Sequence, residues 1–263
     1  MRAPRVPEPT AEVCIVPDAA ALSREAARRF VALAQQSVCA RGRFTVALAG
    51  GTTAQLLHAR LAEEPYRRAI PWAGAYLFWG DERCVPTEDP ASNFRRAHDA
   101  LLSRVPIPSE QIHRVPVEQG VPDAIALAYE RTLRNFFALE ERTAPAFDLV
   151  CLGLGTDGHT ASLFPHSDAL RERSRWVLAT VGGMPRRPRV TLTIPVLNRA
   201  RHLVWLVAGS QKADIVRAVL EGPESPDGLP AQHIRPMRAV PLWLIDRAAA
   251  RRLTAGHRQR VAA

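Results

Sequence analysis

Three short segments hold most of the residues capable of chemistry, and each follows an apolar run. The richest is Leu152-Gly153-Leu154-Gly155-Thr156-Asp157-Gly158-His159-Thr160-Ala161-Ser162-Leu163-Phe164-Pro165. Three glycines within six residues shape an unusual loop that displays Asp157 and His159. Histidine is the side chain best suited to proton transfer near neutral pH, and a nearby carboxylate can orient its ring. An isolated histidine is more often structural, and the other seven are read that way. The strand-end setting and the neighbouring aspartate set His159 apart as the candidate catalytic base, with Asp157 beside it.

The second segment is Trp79-Gly80-Asp81-Glu82-Arg83-Cys84-Val85-Pro86, where three adjacent charges precede a proline. Such a run is hard to place in a core. It is either a salt-bridged turn or part of a site, and Asp81 and Arg83 are its candidates. The third is Ala49-Gly50-Gly51-Thr52-Thr53, between an apolar run and a helical pattern. Glycines let backbone approach a ligand, and a helix N-terminus offers free N–H groups to an anion. The segment reads either as a tight turn or as a phosphate cradle of Gly50, Gly51, Thr52 and Thr53. It matches neither nucleotide-binding glycine motif, which disfavours an adenine cofactor.

Two cations complete the candidate set. Arg189 opens the apolar run RVTLTI, and Lys212 follows Ala208-Gly209-Ser210-Gln211. Lys212 is the single lysine among 35 basic residues, the other 34 being arginine. In a chain where every other cation is arginine, that lysine points to a position needing a compact ammonium rather than a planar fork. The plain alternative is chance survival.

The elements that must position these groups are strands and helices in alternation. Strand-like runs fall at 12–16, 44–49, 75–79, 147–152, 176–180, 189–194, 203–208 and 241–245. Most are continuously apolar, as expected of strands covered on both faces of a parallel sheet. Helical patterns follow Asp18 and Ser92, and others fit 53–62, 122–141, 211–220 and 246–254. The expected fold is α/β, a doubly wound, mostly parallel sheet with helices on both faces. One such domain over 12–263, behind a disordered tail at 1–11, accounts for the length. In such sheets ligands bind beyond the carboxyl ends of the strands, where the three segments lie.

Composition narrows the function classes. The formal charge of +9 suggests nucleic acid until its placement is considered. After Asp246 there is no acidic residue, whereas Arg247, Arg251, Arg252, Arg258 and Arg260 add five charges. Aromatic residues are only 6 % and do not alternate with basic ones, so no stacking platform for bases is visible. No nucleic-acid partner is expected. Apolar runs fall short of the roughly 18 residues of a membrane span, and the N-terminus lacks the apolar stretch of a secretory signal. Cys14, Cys39, Cys84 and Cys151 have no paired spacing, which argues against a disulfide framework and a zinc site. A cytoplasmic protein without metal or cofactor is expected.

With these segments in place the chain resembles the 6-phosphogluconolactonases, within the wider family of glucosamine-6-phosphate isomerase/deaminase-like proteins. The matching residues are GDERCVPTEDPASN (80–93), LGLGTDGHTASLFP (152–165), RVTLTIPVLNRAR (189–201), VAGSQK (207–212) and PAQHIRP (230–236). The resemblance covers roughly residues 12–246 and is most specific in DGHTASLFP. It implies a phosphosugar lactone as substrate, hydrolysed in the oxidative pentose phosphate pathway with His159 as base. It places Gly50, Gly51, Thr52, Thr53, Arg83, Arg189 and Lys212 around the phosphorylated substrate. The family's glycine loop commonly reads SGGSTP, whereas Ala49 and Ala54 stand at its ends here. Its LFPG is LFPH here, with His166 in place of glycine.

Two other readings compete with this one. An aldose–ketose isomerase/deaminase of an amino-sugar phosphate would continue from DGH toward an Asn-Glu-Pro stretch, but here Leu163-Phe164-Pro165 carries no carboxylate. A non-enzymatic sugar-phosphate sensor would need a DNA-binding module, and no helix-turn-helix pattern precedes residue 12. The expected assembly is a monomer or weak homodimer.

Overall fold

A computed structural model describes residues 11–138, 143–225 and 227–254. In chain order the elements are β1 (Glu12–Val16), α1 (Ala19–Arg41), β2 (Phe44–Leu48), α2 (Thr52–Leu61), α3 (Tyr66–Ala69), β3 (Ala75–Trp79), β4 (Asp81–Arg83) and α4 (Asn93–Ala100). They continue with β5 (Ile112–His113), α5 (Pro122–Phe137), β6 (Leu149–Leu152), β7 (Val177–Gly182), β8 (Arg187–Leu192) and α6 (Ile194–Leu197). The last are β9 (Leu203–Val207), α7 (Ala213–Glu221), β10 (Leu242–Asp246) and α8 (Arg247–Ala250).

Seven strands form one sheet in the order β1-β10-β9-β6-β2-β3-β5, and every pairing in it is parallel. Continuous apolar sequence is the reason these strands can be covered on both faces: β2, β9 and β10 are buried at every position. Trp205 and Trp243, opposite each other on β9 and β10, stack with centroids 4.3 Å apart. Helix boundaries follow local chemistry. Asp18 accepts from the Ala21 N–H at the start of α1, and Gly42, at φ 72°, closes it in the left-handed region.

The runs at 176–180 and 189–194 are not in the parallel sheet. They fall in β7 and β8, an antiparallel pair that joins β4 in a separate three-stranded sheet ordered β4-β8-β7. The connection explains this. Only residues 183–186 separate β7 from β8, and a parallel pair needs a dozen or more. Gly182-Gly183-Met184-Pro185 was a readable turn signal. The charged segment 81–83 is a strand rather than a bare turn, and it pairs residue by residue with β8.

Other boundaries moved less. The expected strand 147–152 starts at Leu149, and α5 ends at Phe137 with Ala138 as a left-handed cap; the remainder of 122–141 lies outside the described residues. The C-terminal helix is one turn, with the chain leaving it by Arg251. The tail expected at 1–11 lies outside the described residues except for Ala11, as do Arg258 and Arg260. Among the described residues no helix is long and apolar enough to cross a membrane.

Candidate active site

The strand order reverses at β2, whose neighbours are β3 on one side and β6 on the other. Beyond the carboxyl ends of β2, β3, β6 and β9 lies a cavity of about 200 Å³. This is where an open α/β sheet leaves a crevice for ligands. Gly50, Gly51, Thr52, Thr53, Asp81, Arg83, His159, Arg189 and Lys212 all line it. Asp157 does not; it stands behind His159, half exposed.

The glycine segment after β2 leads directly into α2. Gly51 takes φ 89°, and no side chain caps the helix, so its first-turn N–H groups are left for an external acceptor. Gly50 has a steric reason: a Cβ there would collide with the Asn93 carboxamide. Ala49 and Ala54 also line the cavity, but neither carries a donor on its side chain.

Beyond β3, each of the three adjacent charges has its own task. Glu82 points away from the cavity and accepts from the N–H groups of Asn93 and Phe94, both at 2.7 Å, at the start of α4. Asp81 is buried; its Oδ2 accepts from Ser162 Oγ at 2.6 Å and its Oδ1 from Asn93 Nδ2 at 3.3 Å. Arg83 donates to the Ala91 carbonyl at 2.5 Å, while its Nε is buried without a partner. Across the small sheet, Arg83 pairs directly with Arg189. Arg189 donates through Nε to the Gly182 carbonyl at 3.2 Å, with Nη1 3.9 Å from Asp81. Burial lowers the Arg189 guanidinium from its ordinary value; Asp81 opposes this, and Arg83 and Arg187 reinforce it.

The loop after β6 is pinned at four places. Gly155 N–H donates to the His159 carbonyl at 2.8 Å, and Gly158 N–H to the Gly155 carbonyl at 3.2 Å. Thr160 Oγ1 donates to the Gly153 carbonyl at 3.0 Å, and Lys212 Nζ to the Leu154 carbonyl at 2.6 Å. A Cβ on Gly155 would overlap the His159 ring, so glycine is required where the ring seats. His159 Nδ1 lies 2.5 Å from Asp157 Oδ1. Partial burial works to raise the Asp157 carboxyl, but the hydrogen bond and charge of His159 outweigh it and hold the group at about 2. Asp157 therefore accepts the Nδ1 proton and leaves Nε2 free. Burial pushes the Lys212 ammonium below its ordinary value, while the Asp157 carboxylate acts in the opposite direction.

The lining thus sets three cations and a histidine against one carboxylate, beside the buried Cys151 thiol, and Asp81 already accepts from two protein donors. The excess positive charge, with the open end of α2, suits a small polyanion. Sequence reasoning missed Phe164. Its ring lies 4.8 Å from that of His159 and 5.5 Å beneath the Arg189 guanidinium, so it backs both groups. It also missed Asn93 and Ser162, which hold Asp81. All three lie within the quoted motifs, but by residue type they read as core or turn. His166 does not line the cavity; it takes φ 60° and its N–H donates to the Asp227 carbonyl at 2.9 Å.

Fold and site define a doubly wound α/β protein with a cation-rich cleft at its sheet crossover. The family model described as glucosamine-6-phosphate isomerases/6-phosphogluconolactonase matches residues 17–243. The chain is 44 % identical to the 6-phosphogluconolactonase of Synechocystis sp. over 218 residues, covering 83 % of this chain and 88 % of that protein. It is 41 % identical to the 6-phosphogluconolactonase of Mycobacterium tuberculosis over 245 residues, covering 91 % of this chain and 97 % of the other. The crystal structure of 6-phosphogluconolactonase from Leishmania guyanensis superposes with a TM-score of 0.83 at 28 % identity, covering 93 % of this chain and 99 % of that one. The chain belongs to the glucosamine-6-phosphate isomerase/6-phosphogluconolactonase family.

Proposed function

We propose that this chain hydrolyses 6-phospho-D-glucono-1,5-lactone to 6-phospho-D-gluconate, the lactone-opening step of the oxidative pentose phosphate pathway. The observation that carries this reading is the placement of the His159–Asp157 pair at the edge of a cavity whose other ionisable groups are mostly cations. A phosphate dianion is met by Arg189, Lys212 and the first-turn N–H groups of α2, each charge-assisted bond contributing about 1.5–3 kcal/mol. His159 then faces the lactone end of the sugar.

In the proposed reaction Nε2 of His159 takes a proton from water as the water oxygen bonds to C1. The carbonyl oxygen becomes an oxyanion, which Arg83 or a backbone N–H of the glycine loop can stabilise by about 3 kcal/mol. The C1–O5 bond then breaks, and the imidazolium returns its proton to O5. Asp157 holds the ring with Nδ1 protonated throughout. A lactone is already an activated ester, so this route needs no covalent intermediate. General-base assistance of this kind supplies roughly a hundred- to ten-thousand-fold.

Against the isomerase/deaminase reading, the stretch after the histidine is Leu163-Phe164-Pro165, with Leu163 and Phe164 buried and no carboxylate offered to the cavity. A coupled assay following loss of 6-phosphogluconolactone, corrected for spontaneous hydrolysis, tests the proposal. A rate no greater than that of buffer alone would overturn it.

A further inference from the structure

The ammonium of Lys212 can serve an anion only if its short turn holds still, and the first N–H of that turn is bonded to the end of a neighbouring strand. Lys212 ends the segment Gly209-Ser210-Gln211-Lys212 that leaves β9. Gly209 takes φ 100°, a conformation open to glycine, and its carbonyl accepts from the Lys212 N–H at 3.0 Å. Its own N–H donates to both carboxylate oxygens of Asp246, at 3.1 and 3.0 Å. Asp246 is buried at the end of β10, next to β9 in the sheet, and its Oδ1 also accepts from the Ala249 N–H at 2.7 Å to cap α8. One buried carboxylate therefore ties the lysine turn to the sheet and to the helix that follows β10.

We propose that Asp246 is a positioning residue for Lys212. It lies outside the cavity lining and acts through Gly209, whose N–H donates to Asp246 and whose C=O accepts from the Lys212 N–H. The side chain is fixed at its far end by the Leu154 carbonyl in the His159 loop. With Asp246 in place the ammonium is held between two strand-end loops, and without it the Gly209 N–H that opens the turn loses its acceptor. Helix capping alone would need a single acceptor oxygen. The second oxygen, bonded to Gly209, has no part in the cap.

The kinetic consequence rests on the lactonase reading above, but the positional claim can be read without it. Lys212 is the only lysine, so protein grown on lysine labelled with 15N at Nζ gives one side-chain signal. Asp246→Ser keeps an oxygen for the α8 cap on a side chain one bond shorter, and loses Oδ2, the acceptor that serves Gly209 and not the cap. The Lys212 signal of this variant is expected to move toward that of a free lysine and to sharpen, while the melting curve stays near the parent's. Asp246→Asn, which retains a carbonyl oxygen, should restore most of the parent signal. In the lactonase assay Asp246→Ser should raise KM roughly five- to ten-fold with kcat within about two-fold, and should add nothing in a Lys212→Ala background. An unchanged Lys212 signal in Asp246→Ser overturns the proposal, as does a full additional KM effect in the Lys212→Ala background. A parent without lactonase activity would overturn the functional reading alone, because the labelled-lysine signal still reports the turn.

Discussion

Arg83 and Arg189 stand directly opposite one another on the antiparallel strands β4 and β8. Like charges in that relation destabilise a sheet. Asp81 is the nearest counter-charge, 3.9 Å from Arg189 and engaged by Ser162 and Asn93. A pair so placed at a cavity wall is best satisfied by an incoming anion. Arg189→Gln should therefore weaken binding of the phosphorylated lactone by about 1.5–3 kcal/mol, roughly ten- to a hundred-fold in KM. Unphosphorylated glucono-1,5-lactone should be nearly indifferent. Steady-state kinetics on the two lactones check this, and an equal loss on both would assign Arg189 to the fold or the reaction centre.

The His159–Asp157 contact predicts unequal losses from its two members. His159→Ala removes the group proposed to move the proton and should lower kcat at least about a hundred-fold with the fold intact. Asp157→Asn keeps an acceptor for Nδ1–H but not the charge, so a loss of roughly ten-fold in kcat is expected. Circular dichroism beside the kinetics separates catalysis from folding. A folded His159→Ala variant with near-parent turnover would remove the histidine from the mechanism.

Much of this site was legible because its residues lie close together in sequence and follow apolar runs. Glycine density marked the loop that seats His159, and the lone lysine marked Lys212. What stayed hidden depended on register and on long-range partners. Continuous apolar sequence at 176–180 looks the same in a parallel strand as in a hairpin, and only the short turn at 183–186 distinguishes them. The opposition of Arg83 and Arg189 requires the pairing of β4 with β8, segments about a hundred residues apart. Asp246 bonds Gly209 across 37 positions, and nothing in its local sequence signals that partner.

His166 sits at φ 60°, where a residue with a Cβ costs about 1–2 kcal/mol relative to glycine. Its backbone N–H bond to Asp227 survives substitution. Glycine gives back some of the gain through unfolded-state entropy, so His166→Gly should raise Tm by about 1–3 °C. Because His166 does not line the cavity, kcat/KM should stay at the parent value. A lower Tm would show that the imidazole makes a stabilising contact that outweighs the backbone strain.

His58 lies buried on α2, its Nδ1 without a partner, and burial pushes its pKa down to about 4. The unfolded chain titrates this group near 6.5, so between those values the unfolded state binds more protons than the folded one. Stability from this residue is fully present above about pH 6.5 and is lost as the pH falls through about 4, to a total of about 3 kcal/mol. Urea unfolding of the parent at pH 7 and pH 4 should show that loss on top of other acid effects. His58→Leu should remove it and flatten the profile. Identical pH profiles for the two proteins would show that His58 does not govern acid stability.

Lys212→Arg tests the oldest clue in the chain, its single lysine. Arginine is the residue that composition would supply, and it preserves the charge. The site, however, is cut for a point donor: Nζ reaches the Leu154 carbonyl at 2.6 Å from a turn held by Gly209. A planar fork is broader, carries its donors in fixed directions and cannot make that bond without moving the Leu154 loop or swinging into the cavity. The first movement disturbs the loop that seats His159, and the second displaces the anion. Either carries an error through a rigid sugar ring to C1, where misplacement by an ångström can cost about a hundred-fold. Lys212→Arg should therefore fold and melt like the parent yet lose at least about ten-fold in kcat/KM on the phosphorylated lactone. The two displacements differ in readout: a moved loop lowers kcat on both lactones, whereas a displaced anion raises KM on the phosphorylated one alone. Parent-like efficiency on that substrate would mean that the lysine survives there by chance.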